Sequence, residues 1–327
     1  AVNDERAVLL GMGPAGAPSR LLASRFGACW SYAGSVAPGQ FSAARMVREF
    51  RYRDIGVDSE LYGVVGNPVG HSVSPAMHNA GFAAAGRDAV YLPLTAADAD
   101  DFFGFAEAFG LTGASVTAPF KGAAFERVAT TDDVGRRIGA VNTVRRCGED
   151  WQGMNSDVPG FLEPLTDRLA CKGLRATVLG AGGAARAAAL ALVEGGASVD
   201  VCARVKARAE ETAGVCGAQV GTFPPVPGSW DLLVNATPVG TSPKSDVSPM
   251  PSSALDGGFV YDLVYNPNPT RLMREAAAQG CATLGGLEML VAQAERQFEW
   301  WTGARPADSV FATAARAWLT DTRERGA

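Results

Sequence analysis

Lys121 follows the run SVTAPF, where a strand gives way to a helix. A cation in the first turn of a helix is disfavoured by the dipole. The position therefore suits an amine that gives and takes a proton, although on its own it reads better as a solvated lysine. Asp157, in GMNSDVPGF, also opens a helix. Either Ser156 or Asp157 is a plain N-cap there, or the carboxylate faces a ligand. Asn142 in GAVNTV and Asn155 are amides near strand ends, the places where open α/β sheets bind ligands. Ser72, Ser74 and Thr117 add hydroxyls of the same kind; Ser74 alone reads as an N-cap with Pro75 at the first helical position. Together these side chains suit a small, polyhydroxylated anion.

A second constellation is Gly180-Ala181-Gly182-Gly183-Ala184-Ala185, which matches G-x-G-x-x-A after a strand and before a helix. Gly180 permits the tight turn, Gly182 admits a pyrophosphate to the backbone, and Ala185 allows close helix–strand packing. The helix N-terminus offers unpaired N–H groups to an anion. An NAD site places an acid at the end of the next strand. Here Asp200 lies inside that strand, and its end reads Ala203-Arg204-Val205-Lys206-Ala207-Arg208. Cations there suit a 2′-phosphate, so NADP(H) is expected, with Arg204 and Arg208 in contact and Lys206 solvated.

The elements that must hold these groups alternate strand and helix, which predicts an α/β fold with mostly parallel sheets. Residues 1–50 read as two strand–helix units, with strands in AVLLGMG and CWSYAGS and helices in APSRLLASRFG and SAARMVREF. Residues 58–160 and 161–286 form two further blocks of alternating strand and helix, the second built around the glycine-rich turn. A last helix over about 287–301 is predicted from the helical spacing of Leu287, Leu290, Val291, Ala294, Phe298 and Trp301.

The bulk numbers fit this. The chain has 327 residues, 47% hydrophobic and 19% charged, with net charge −5; it can bury a core, and no basic field invites nucleic acid. No apolar run reaches the ~20 residues of a membrane span. No signal peptide is visible, and six scattered cysteines without CxxC spacing read as reduced thiols of a cytoplasmic protein. Only His71 and His78 are present, and no metal site is expected. The chain opens on Ala1, which reads as a fragment or a processed product.

At this point the residues resemble the shikimate dehydrogenase family. GNPVGHSVSP, SVTAPFK, IGAVNTV, GMNSD, GAGGAARA, NATPVG, VYDLVYNPNPT and GGLEMLVAQAERQFEWWTG occur in the family's order over roughly residues 59–327. The resemblance implies a substrate-binding domain over 58–160, completed by 287–327, joined to a Rossmann-like NADP-binding domain over 161–286, and reversible reduction of 3-dehydroshikimate to shikimate. It implies a catalytic dyad of Lys121, the principal acid/base, and Asp157, which orients the reacting hydroxyl. Ser72, Ser74, Thr117, Asn142 and Gln293 match its substrate-binding positions, and Tyr265 a position beside substrate and nicotinamide. Gly180, Ala181, Gly182, Gly183, Ala184, Arg204, Arg208, Thr237, Gly286 and Met289 match its cofactor contacts. The chain departs from the pattern at Ser156, at Ala203 and Val205 flanking Arg204, and at Thr241. Loss of both polar flanks of Arg204 weakens the implied NADP selectivity. Retention of Ser72 and Ser74 favours shikimate over the bulkier quinate.

The first fifty residues resemble the end of a type I 3-dehydroquinate dehydratase, through MGPAGAPSRLLASRFG and APGQ. Arg20 and Gln40 match substrate-binding positions of that (β/α)8 family, but Val36 occupies its serine slot. EFRYRDIG resembles the linker of fused dehydratase–dehydrogenase proteins. Two β/α units cannot close an eight-unit barrel, so no dehydratase activity is expected. The segment should expose apolar faces or need the missing part of a longer chain. Two alternatives to an NADP-dependent shikimate dehydrogenase are a quinate/shikimate dehydrogenase with relaxed cofactor use and a non-catalytic sensor of the pathway's metabolites.

Overall fold

Runs such as ELYGVVG and AVYLPLT are apolar without alternation, the pattern of parallel strands buried on both faces. They form β1 (Glu60–Gly66) and β2 (Ala89–Thr95). The computed structural model describes residues 8–326, which fall into two compact units. The first comprises the chain up to Asp132, Ala140–Met154 and the residues from Gln297 onward; the second comprises Asp133–Gly139 and Asn155–Arg296.

In the first unit β1 and β2 join β3 (Leu111–Val116), β4 (Thr130–Thr131), β5 (Thr143–Cys147) and β6 (Asp150–Met154) in a six-stranded sheet ordered β2-β1-β3-β5-β6-β4. β1 runs parallel to β2 and β3, while β5 is antiparallel to β3 and β6. The helix Ser74–Ala84 covers one face and packs on the helix Val310–Gly326. Contact is close because Gly81 has no side chain; a β-carbon there would lie 2.5 Å from the Phe311 ring. Under this helix sits His78, fully buried, stacked on Tyr91 at 4.4 Å and edge-on to Phe311 at 5.0 Å.

The structure corrects the reading of the N-terminal segment. Among the described residues neither 8–13 nor 28–34 forms a strand; Ala7, which opens the first expected strand, lies outside them. A strand needs a neighbour to take its backbone hydrogen bonds, and among the described residues these two runs pair with no strand. What remains are the helices Ala17–Leu21 and Ala43–Arg48 and a 3-10 turn at Ser24–Phe26, ended by Gly27 at φ 78°. Leu21, Leu22, Phe41, Met46 and Phe50 are buried in one apolar cluster with Leu61, Val65 and Leu92 of the sheet. Other apolar residues of the segment are exposed: Met12 is 79% and Val36 96% exposed, and Leu9, Trp30 and Tyr32 are exposed too.

In the second unit every strand pairing is parallel. β7 (Arg175–Leu179), β8 (Ser198–Cys202), β9 (Gln219–Val220), β10 (Leu232–Asn235), β11 (Phe259–Asp262) and β12 (Ala282–Gly285) are ordered β12-β11-β10-β7-β8-β9. The chain leaves β7 toward β8 on one side and returns as β10 on the other. That reversal creates a crevice at the carboxyl ends of β7 and β10. The Ala-rich helix Gly183–Glu194 packs closely on the sheet, with Ala185, Ala187, Ala188 and Ala189 fully buried.

Candidate active site

In the first unit the loops after β1 and β3 are woven together. Asn67 N–H donates to the Ala118 carbonyl at 3.2 Å and Thr117 N–H to the Val65 carbonyl at 2.9 Å. Gly66 allows this approach, since a β-carbon there would fall 2.4 Å from the Thr117 methyl. The chain before β5 closes the arrangement: Val116 N–H donates to the Asn142 carbonyl at 2.7 Å and Val141 N–H to the Lys121 carbonyl at 3.1 Å. Lys121, half-buried, is the first residue of the helix Lys121–Arg127. Thr117, Lys121 and Asn142 are thus gathered with the β1 loop at the carboxyl ends of β1 and β3.

That loop carries the two serines, with one correction. Ser74 is the first helical residue, not the cap, and no side chain caps this helix in the usual way. Instead Ser72 Oγ accepts the Ser74 N–H at 3.2 Å. Ser74 is buried beside Tyr91. Burial raises the Tyr91 phenol above its ordinary range, with hydrogen bonds to Ser115 and Ser74 acting the other way. His78, one turn along, is driven down to about 3 by burial, with Gln297 beside it acting in the opposite direction.

In the second unit Asp157 opens the helix Asp157–Thr166 and is buried; its N–H donates to Asn155 Oδ1 at 3.1 Å. Ser156 is the N-cap by position, but its hydroxyl makes no cap bond and reaches Gln293 Oε1 at 3.5 Å. Gln293 is seated by Gly160, where a β-carbon would come within 2.6 Å of Gln293 Cβ. Asp157, Ser156 and Gln293 are therefore neighbours.

The glycine turn follows β7 as expected. Gly180 has φ +114°, and a β-carbon there would meet the Ala236 carbonyl oxygen at 2.9 Å. Gly182 caps the helix Gly183–Glu194 in extended backbone with no side-chain cap, and its missing β-carbon faces open space. Ala181, Gly183 and Ala184 line the same accessible turn. Thr237 stands against Gly180, tied by its N–H and hydroxyl to Asn235 Oδ1 at 3.1 and 2.7 Å. At the end of β8, Arg204 and Arg208 are exposed and form no ion pair among the described residues, while Lys206 pairs with Glu210 at 3.6 Å. Asp200 lies mid-strand, packed toward Gly221. An open turn of backbone N–H groups beside unpaired arginines fits a phosphorylated dinucleotide.

Behind this crevice lies a network that motif reading passed over. Asp262, fully buried at the end of β11, accepts from Thr270 Oγ1 at 2.6 Å, Asn235 Nδ2 at 2.8 Å and Val264 N–H at 3.1 Å. Burial raises its carboxyl to about 6, with those three donors acting the other way. The network fixes the loops that carry Thr237 and Tyr265. A polar residue ending each of two apolar strands, in NATPVG and VYDLVY, was the available signal. Tyr265 is half-buried and its phenol is raised by burial. Gly286 opens the helix Gly286–Thr302 against the Leu263 carbonyl, where a β-carbon would fall 2.1 Å away, and Met289 is buried one turn on.

Among the described residues no group of side chains could hold a metal ion, and no helix is long and apolar enough to cross a membrane. The dehydratase-like positions are occupied locally. Arg20 is buried and donates to the Gly11 carbonyl at 2.7 Å. Gln40 Oε1 accepts from the N–H groups of Val36 and Ala37 at 3.3 and 3.2 Å.

The chain is similar to known proteins of one family. Residues 64–144 match the shikimate dehydrogenase substrate binding domain, and 286–316 the shikimate 5'-dehydrogenase C-terminal domain. The shikimate dehydrogenase (NADP(+)) of Halobacterium salinarum is 42% identical over 267 residues, covering 80% of this chain and all (100%) of that protein. The chloroplastic bifunctional 3-dehydroquinate dehydratase/shikimate dehydrogenase of Arabidopsis thaliana is 34% identical over 322 residues, covering 89% of this chain and 53% of its own. A crystal structure of shikimate 5-dehydrogenase from Thermus thermophilus with NADP(H) and shikimate is similar at TM-score 0.72 and 38% identity, covering 79% of this chain and 99% of that one.

Proposed function

The chain belongs to the shikimate dehydrogenase family, and from that premise we propose that it interconverts shikimate and 3-dehydroshikimate with NADP(H). The observation that carries the reading is the gathering of Ser72, Ser74, Thr117, Lys121 and Asn142 at one end of the first sheet. Hydroxyls and an amide placed beside an amine can hold a ring bearing hydroxyls and a carboxylate, and then move a proton.

Each residue has one task in this reading. Ser72 and Ser74 hold the carboxylate. Asn142, Thr117 and Gln293 bind ring hydroxyls, and Tyr265 lines the ring. Lys121 takes the proton of the hydroxyl being oxidised and returns it in the reverse direction. Asp157 orients that hydroxyl. The turn Gly180–Ala184 offers backbone N–H groups to the pyrophosphate, and Arg204 and Arg208 take the 2′-phosphate. Thr237, Gly286 and Met289 form the remaining cofactor contacts. Bound NADP(H) supplies the hydride chemistry that no side chain can.

We further infer that the N-terminal segment is related to the C-terminal end of a type I dehydratase. The extra coverage in the alignment with the Arabidopsis bifunctional protein supports this. Its exposed apolar residues, Leu9, Met12, Trp30, Tyr32 and Val36, are ones a dehydratase part would cover. We assign the protein to the cytoplasm, where its six free thiols stay reduced.

Initial rates with shikimate or quinate, each with NADP or NAD, test the reading. The expected result is the highest kcat/KM for shikimate with NADP, by at least ~10-fold, a difference of about 1.4 kcal/mol. Higher activity with quinate, or shikimate binding without turnover, would contradict it.

A further inference from the structure

Five buried side chains of the first unit form one directed chain of hydrogen bonds ending on Asn142. Tyr91 Oη donates to Ser115 Oγ at 2.6 Å, and Ser115 Oγ donates to Gln297 Oε1 at 2.6 Å. Gln297 Nε2 then donates to Thr143 Oγ1 at 2.9 Å, and Thr143 Oγ1 donates to Asn142 Oδ1 at 2.8 Å. Tyr91, Thr143, Gln297 and Asn142 are at most 2% exposed, and Ser115 is 7% exposed.

The direction of the chain is forced. Gln297 Nε2 also reaches the backbone carbonyl of Asn142 at 3.3 Å, and a carbonyl can only accept. That turns the nitrogen of Gln297 toward β5 and its oxygen toward Ser115. Thr143 must then accept from the nitrogen, which leaves its single proton for Asn142 Oδ1. Ser115 must give its proton to Gln297 and accept from Tyr91. Since the oxygen of Asn142 is held as an acceptor inside the unit, its amide nitrogen is the end turned to donate.

We propose that Gln297 is a positioning residue: through Thr143 it holds the Asn142 side chain with Nδ2 presented as donor to an oxygen of the ring substrate. The inference rests on reading Asn142 as a substrate-binding residue. Gln297 itself touches the substrate nowhere in this scheme; it acts one residue removed, from a helix position one turn beyond Gln293.

The test uses the intact chain. Gln297→Glu keeps the shape but replaces the donor with an acceptor, and Thr143→Val removes the relay hydroxyl without changing volume. Shikimate binding is measured by calorimetry and KM by NADP-linked assay, alone and in an Asn142→Ala background. Either variant should weaken shikimate binding by ~10-fold while leaving the KM for NADP unchanged. Thr143→Ser should restore binding. In the Asn142→Ala background neither change should add more than ~2-fold. If Gln297→Glu does not fold, the Thr143 pair decides alone. Normal shikimate binding by folded Thr143→Val, or effects that add fully to Asn142→Ala, would overturn this inference alone. Failure of the wild-type protein to bind shikimate would overturn the parent reading and this one with it.

Discussion

The backbone N–H of Val141 donates to the carbonyl of Lys121 at 3.1 Å. This single bond ties the first residue of the lysine-bearing helix to the residue before Asn142. The lysine proposed to transfer the proton and the amide proposed to bind substrate are thus fixed to one another through main chain, and this tie uses no lysine side-chain atom. Lys121→Met should therefore keep this backbone tie and a cooperative melt. It should lower kcat by ~10²–10⁴-fold, the usual worth of a placed acid/base. Thermal melts and steady-state rates on the same preparation check both halves.

Gly180 and Gly182 should fail in different ways. Alanine at Gly180 must adopt φ +114° and press on the Ala236 carbonyl at 2.9 Å, a strain of about 1–3 kcal/mol. Alanine at Gly182 meets open space. Gly180→Ala should lower the denaturation midpoint, whereas Gly182→Ala should keep it and raise the KM for NADP.

Arg204 and Arg208 are exposed, and neither forms an ion pair among the described residues. If they hold the 2′-phosphate, Arg204→Ala loses a charge-assisted hydrogen bond worth roughly 1.5–3 kcal/mol. The NADP over NAD preference should fall by ~10–100-fold, with the rate on NAD nearly unchanged. Paired kcat/KM values for the two cofactors measure this.

His78 makes stability acid-sensitive. Burial holds its folded pKa near 3, below the ordinary value of about 6.5. Between these values the unfolded chain binds the proton and the folded one does not. Stability from this residue is therefore complete above about pH 6.5 and is lost as pH falls toward about 3, at up to roughly 1.4 kcal/mol per unit. Denaturant unfolding from pH 7 to 4 should show a shallower decline for His78→Phe than for wild type.

The N-terminal segment is structural whatever its ancestry. Leu21 is fully buried in the cluster that includes Leu61 and Val65, so Leu21→Ala should cost about 2–5 kcal/mol. Chemical denaturation checks it; a change under ~0.5 kcal/mol would mean the segment is not part of this core.

Local pattern was enough where geometry is local. The turn at Gly180, the start of a helix at Lys121 and the apolar strands β1 and β7 follow from residue type and spacing alone. Ser74 missed by one position, because cap and first turn differ only in the backbone angles of Val73. The expected strands near Leu9 and Tyr32 failed for a long-range reason: an apolar run becomes a strand only when another strand pairs with it. Gln297 could not be picked out, since a glutamine on a helix reads as solvated until its partners on β3 and β5 are known.

The most direct test of the account is shikimate-dependent reduction of NADP by wild type and Lys121→Met, with shikimate binding measured on both. The account predicts turnover by the wild type, binding by the variant within ~3-fold of wild type, and turnover by the variant at least ~10²-fold slower. A variant that binds shikimate and still turns over at the wild-type rate would contradict it.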